Sequence, residues 1–131
     1  MKRLFVMGLA ALLLYPVMVH GAGFDTQKIA VASGGKTVKS SVSTQAAKCP
    51  YYLIFDNQRK LIEVLDNPYM HARRGAGPSA AHLLAKRGAT MVIAGNFGSK
   101  MVHTLKSKNI THFQFKGSVV DAVKKALDGS K

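Results

Sequence analysis

Beyond residue 23 the side chains able to hold a soft metal are few: Cys49, His71, His82, His103 and His112, together with Met70, Met91 and Met101. Thiolate, imidazole and thioether suit soft or borderline metals such as copper, iron or zinc. None of them stands in CxxC, HxxxH or HExxH spacing, so spacing alone defines no zinc site. Cys49 is the single cysteine. It has no internal disulfide partner, and its thiol is free, paired with another chain or bound to a ligand. His71, next to Met70 in a polar stretch, is the histidine best placed to join it. His82 and His103 fall within helical patterns and His112 opens a strand, positions that suit structural or solvated imidazoles. The expected metal shell is Cys49 with His71 or Met70.

Two glycine turns offer a different chemistry. Gly75-Ala76-Gly77-Pro78-Ser79 and Gly95-Asn96-Phe97-Gly98 each precede a helical pattern. Glycine lets a ligand approach the backbone, and the first N–H groups of a helix bind anions readily. Gly75, Gly77, Gly95, Asn96, Phe97 and Gly98 are therefore expected to cradle the anionic part of a ligand. Lys48, Arg73 and Arg74 would add positive charge and lower the pKa of Cys49. Neither turn carries a dinucleotide or Walker pattern. The six carboxylates include no near pair that would serve as acid and base, and Ser33, Ser40, Ser41 and Ser43 lack a nucleophile-elbow context. Binding is expected, and catalysis is not.

The elements that must position these groups follow from hydrophobic period and turn chemistry. Residues 28–33 and 51–56 read as strands. Asn57-Gln58 turns the second into a return arm, residues 60–65, which Asn67-Pro68 ends. The polar stretch 34–48 reads as a loop with a brief strand near 38–43. A helix over 80–87 closes at Gly88, a strand spans 91–94, a helix spans 99–107 and a strand spans 112–116. Ser118 caps a last helix in which Val119, Val120, Val123 and Leu127 share the buried face. A hairpin followed by βαβα units predicts an α/β domain: a mixed sheet with helices packed on its faces.

The chain opens Met1-Lys2-Arg3, continues with the uncharged apolar run from Leu4 to Val19, and then reaches His20-Gly21-Ala22-Gly23. This pattern predicts a signal peptide over residues 1–23, cleaved after Gly21 or Gly23. The run is shorter than the roughly 20 residues of a spanning helix and contains Pro16. A single mature domain, residues 24–131, would then be periplasmic or secreted, meeting the membrane only through an uncleaved signal. Without Lys2 and Arg3, 17 basic residues still face six carboxylates. That excess favours an anionic ligand, an acidic protein or an anionic surface, and export disfavours nucleic acid.

Residues 28–33, Pro50 to Asp56, Asn67-Pro68, Gly75-Ala76-Gly77, Val92 to Gly98 and Gly117 to Val123 resemble, in order and spacing, the dinitrogenase iron–molybdenum cofactor biosynthesis family. The resemblance covers nearly all of residues 28–127. It implies a ribonuclease H-like three-layer domain with a mixed, mainly five-stranded sheet flanked by helices. It also implies a protein that carries, stores or inserts iron–sulfur–molybdenum clusters or their precursors, and that is not a nuclease. Many members have His-Phe-Gly-Arg-Ala-Pro before the aromatic strand. Here the stretch is Gln45-Ala46-Ala47-Lys48-Cys49-Pro50. Gln45 stands where the resemblance places a cluster-associated histidine, so either Cys49 takes over as ligand or binding is lost. The reading is an exported, non-catalytic carrier of a metal or an iron–sulfur/molybdenum-type cluster, with copper or iron as candidate metals. The alternative is a metal-free module docking an acidic partner or anionic head groups through its basic face.

Overall fold

The computed structural model describes residues 27–129; the expected signal peptide lies outside them. Five strands, β1 (Ile29–Ser33), β2 (Tyr51–Phe55), β3 (Leu61–Asp66), β4 (Met91–Ala94) and β5 (Thr111–Gln114), form one sheet in the order β3-β2-β1-β4-β5. β1–β2 and β2–β3 pair antiparallel, β1–β4 and β4–β5 parallel. The sheet is mixed because the hairpin reverses the chain, while the later strands each return through a helix. The helices are α1 (Ala76–Lys86), α2 (Ser99–Ser107) and α3 (Val119–Gly129).

Alternation along the strands divides the core in two. Ala30, Ala32, Tyr52, Ile54, Val92 and Ala94 pack against Ala80, Ala81 and Leu84 of α1 and Met101 and Leu105 of α2. Ile29, Val31, Leu53, Phe55 and Ile93 on the other face meet Val119, Ala122, Val123, Ala126 and Leu127 of α3. β1 is buried along its whole length, as a central strand covered on both faces must be. β3, at the edge, alternates half-buried and exposed residues.

Several boundaries differ from the sequence expectation. α1 begins at Ala76, four residues early, because Pro78 sits in a first turn where its missing N–H costs nothing. Val120 is 48 % exposed and does not join the buried face of α3. It follows Val119 by about 100° around the helix, and the residues in line with Val119 are Ala122, Val123 and Ala126. β5 ends at Gln114 rather than residue 116. The brief strand near 38–43 reduces to two isolated bridges, Ser33 with Val42 and Ser41 with Ser118. Ser118 does cap α3, its Oγ accepting the Asp121 N–H at 3.2 Å.

Candidate functional site

β1 and β4 run parallel and adjacent, so their carboxyl ends release two loops side by side, where ligands of open α/β sheets bind. The loops are tied together: Gly95 N–H donates to Ser43 O at 2.8 Å and Ala46 N–H to Asn96 O at 3.1 Å. Gly95 permits this approach, since a Cβ there would lie 3.0 Å from Thr44 Cα. Gly77 does the same for the helices. A Cβ at Gly77 would lie 3.0 Å from Met101 Cβ and 3.2 Å from Met101 N, so the first turns of α1 and α2 touch.

These approaches frame an open cavity of about 450 Å³. Residues 44–48 form one wall, Gly75 to Pro78 a second, and Asn96 with Gly98 to Met101 a third. The first helical hydrogen bonds are Ser79 N–H to Gly75 O in α1 and Val102 N–H to Gly98 O in α2. The N–H groups of Ala76, Gly77, Ser99, Lys100 and Met101 thus have no partner within their helices. Neither helix has a side-chain cap or an acidic residue in its first turn. The lining contains Lys48 and Lys100 and no carboxylate. A lysine in a first turn opposes the helix dipole by a few tenths of a kcal/mol, a cost that an anion in the cavity reverses.

The cavity gathers five of the expected residues: Lys48, Gly75, Gly77, Asn96 and Gly98. Gly95 and Asn96 border a neighbouring cavity of about 580 Å³ with Thr44, Gln114, Phe115 and Lys116. The Phe97 ring meets His112 edge-on at 5.1 Å. His71, Arg73 and Arg74 are exposed and Met70 half-buried on the segment between β3 and α1, outside the lining of either cavity. Sequence reasoning missed Thr44, Ala46, Ala47, Ser99, Lys100 and Met101 as lining residues. Lys100 had a signal, a cation where helices favour acids. Gln45, noted as the replacement of a histidine, does face the cavity.

Cys49 is 1 % exposed and lies beneath the 44–48 wall. Its Sγ donates to Ala46 O at 3.9 Å and lies 4.0 Å from Asn67 Nδ2. The expected lowering of its pKa is corrected: burial pushes the thiol up to about 11, outweighing hydrogen bonds from Tyr52, backbone groups and Asn67 that act the other way. Among the described residues no three His, Cys, Asp or Glu side chains gather into a metal-holding group.

The native state keeps the Cys49 proton that the unfolded chain releases near 9.0. Stability from this thiol is complete below pH 9 and is lost as pH rises toward 11. Relative to Cys49→Ala, the wild type should lose stability across that window at roughly 1.4 kcal/mol per pH unit. Denaturant titrations of both proteins check this; parallel profiles would show that the thiol is not buried as described.

An α/β domain with this cavity at its strand ends defines a class, and the chain belongs to the dinitrogenase iron-molybdenum cofactor family, whose model matches residues 27–129. Among solved structures it is similar to the apo form of the orange protein from Desulfovibrio gigas. The two share 31 % identity, covering 79 % of this chain and 88 % of that one, at a TM-score of 0.75. A Thermotoga protein described as a proposed NifB protein of the DUF35 family is 30 % identical over 79 % of this chain and 89 % of its own, at a TM-score of 0.69. A proposed dinitrogenase from Methanocaldococcus jannaschii, 15 % identical over 78 % of this chain and 88 % of its own, shares the fold at a TM-score of 0.54. Comparison with the curated proteins found no match.

Proposed function

We propose that this protein carries an anionic metal–sulfur cluster, of the iron–molybdenum cofactor type or a precursor of it, in the 450 Å³ cavity, and that it does so without catalysis. The observation that carries the reading is the lining: two helix N-termini and two lysines converge, and no carboxylate opposes them. The residues fit such a group. A thiometallate-type cluster, whose metals are saturated by its own sulfides, carries a net negative charge, and backbone N–H groups with lysines can hold such an anion without a protein thiolate. The family supports the reading, as does a relative described in an apo form, which has a ligand to lose. The strand order β3-β2-β1-β4-β5 supports the ribonuclease H-like assignment. A single copper or iron ion held by Cys49 with Met70 or His71 would first require the thiol to leave Ala46 O and ionise.

Titration with tetrathiomolybdate, the simplest molybdenum–sulfur anion, followed by its visible absorption, tests the reading. Saturable binding that survives moderate salt is expected. Absence of any spectral change at large excess would contradict it. Steeply salt-dependent association with acidic protein or anionic vesicles in its place would favour the docking alternative.

We also propose export, to the periplasm or beyond, directed by residues 1–23. Protein from the native host should then begin at Ala22 or Phe24 when its N-terminus is sequenced; a start at Met1 would contradict this.

A further inference from the structure

Beneath the cavity wall lies a buried polar group that the proposed function does not use. Tyr52 is completely buried on β2, and its hydroxyl donates to Ala46 O at 2.6 Å. Asn67, 7 % exposed at the end of β3, donates through Nδ2 to Ala47 O and to Cys49 O, both at 2.8 Å, while its Oδ1 accepts the Tyr69 N–H at 2.9 Å. Two successive carbonyls of the wall, those of Ala46 and Ala47, are thus drawn down into the core.

The consequence follows from peptide geometry. The described residues contain no cis peptide, and in a trans peptide the carbonyl of one residue and the N–H of the next point to opposite sides. With the Ala46 and Ala47 carbonyls held inward, the N–H groups of Ala47 and Lys48 are turned outward, toward the cavity that both residues line. Among the described residues, no acceptor takes the Ala47 N–H. The neighbouring Ala46 N–H is held by Asn96 O, which fixes the wall against the loop that begins α2.

We infer that Tyr52 and Asn67 are positioning residues for the cavity: by anchoring two carbonyls from below, they aim the Ala47 and Lys48 N–H groups at the bound anion as a third set of backbone donors. This rests on the anion-cavity reading and deepens it. It explains why a tyrosine occupies a fully buried strand position where phenylalanine would fill the same space without a polar atom to satisfy. It also gives the wall a preorganised geometry, so that binding does not require the loop to reorient.

The test compares tetrathiomolybdate affinity in the wild type, Tyr52→Phe and Val123→Ala, the last truncating the core on the opposite face. Tyr52→Phe should weaken binding about tenfold, as the loss of one aimed donor to an anion would, with its salt dependence unchanged because no charge is altered. Val123→Ala should lower thermal stability and leave affinity at the wild-type value. A second measurement needs no variant. In amide NMR of the wild type, the Ala47 and Lys48 resonances should be among those most displaced by tetrathiomolybdate. Wild-type affinity in Tyr52→Phe, an equal loss in Val123→Ala, or unmoved Ala47 and Lys48 amides would each overturn the inference. Failure of the wild type itself to bind would instead defeat the cavity reading beneath it.

Discussion

A Ser99→Asp variant should be more stable than the parent protein and should bind anions far more weakly. Ser99 is the first residue of α2, which has no side-chain cap and no acid in its first turn. A carboxylate there complements the helix dipole and contributes roughly 0.3–1 kcal/mol to stability. The same carboxylate would stand in the cavity lining. Two unit charges about 4 Å apart at an effective dielectric near 20 repel by roughly 4 kcal/mol, on the order of a thousandfold in affinity. Thermal melts and tetrathiomolybdate titrations on the same samples read both effects. The opposed signs matter, since damage to the fold would lower stability and affinity together. A variant that gains stability and binds as the parent does would place the anion elsewhere.

Gly95→Ala should be the more damaging of two otherwise similar substitutions in the 95–98 turn. Its Cβ would lie 3.0 Å from Thr44 Cα and 3.3 Å from Ser43 O, both backbone atoms that no rotamer change can move. The loop cannot retreat without losing the hydrogen bond from Gly95 N–H to Ser43 O. Overpacking of this kind costs roughly 1–3 kcal/mol, and at about 4–8 °C per kcal/mol for a domain of this size the melting temperature should fall well outside error. Gly98→Ala is the internal control. Gly98 has φ −75° and ψ 153°, a conformation open to any residue, and nothing lies within 4 Å of its Cβ position. That change should be neutral, or gain up to about 1 kcal/mol by restricting the unfolded chain. Equal effects at the two positions would contradict the account of how the wall meets the turn.

These glycines show where sequence reasoning reaches and where it stops. β4 and α2 occupy the expected residues, Met91–Ala94 and Ser99–Ser107, because short apolar runs and capping patterns are local signals. Gly75-Ala76-Gly77-Pro78 reads locally as a turn. Ala76 to Pro78 are helical, and Gly77 there serves a contact with Met101, 24 positions away, that no local pattern encodes. The helix N-termini were legible as anion sites; their convergence was not, since it depends on β1 and β4 being neighbours. Cys49 misled for a related reason. Lys48, Arg73 and Arg74 suggest an electropositive thiol, yet the side chain turns into the core, and desolvation outweighs charge. Gln45 was legible as a departure from the family pattern, and the structure adds that its position faces the cavity. Gln45→His should therefore place an imidazole in the lining and raise affinity for copper or zinc.

The most direct test of the central claim is elemental analysis, with an absorption spectrum, of the protein isolated anaerobically from its native source. A metal–sulfur cluster carrier should contain near-stoichiometric metal with acid-labile sulfide and show sulfur-to-metal charge-transfer bands. Colourless, metal-free protein that also takes up no thiometallate on titration would contradict that claim, and would leave the basic cavity as a docking surface for an acidic partner.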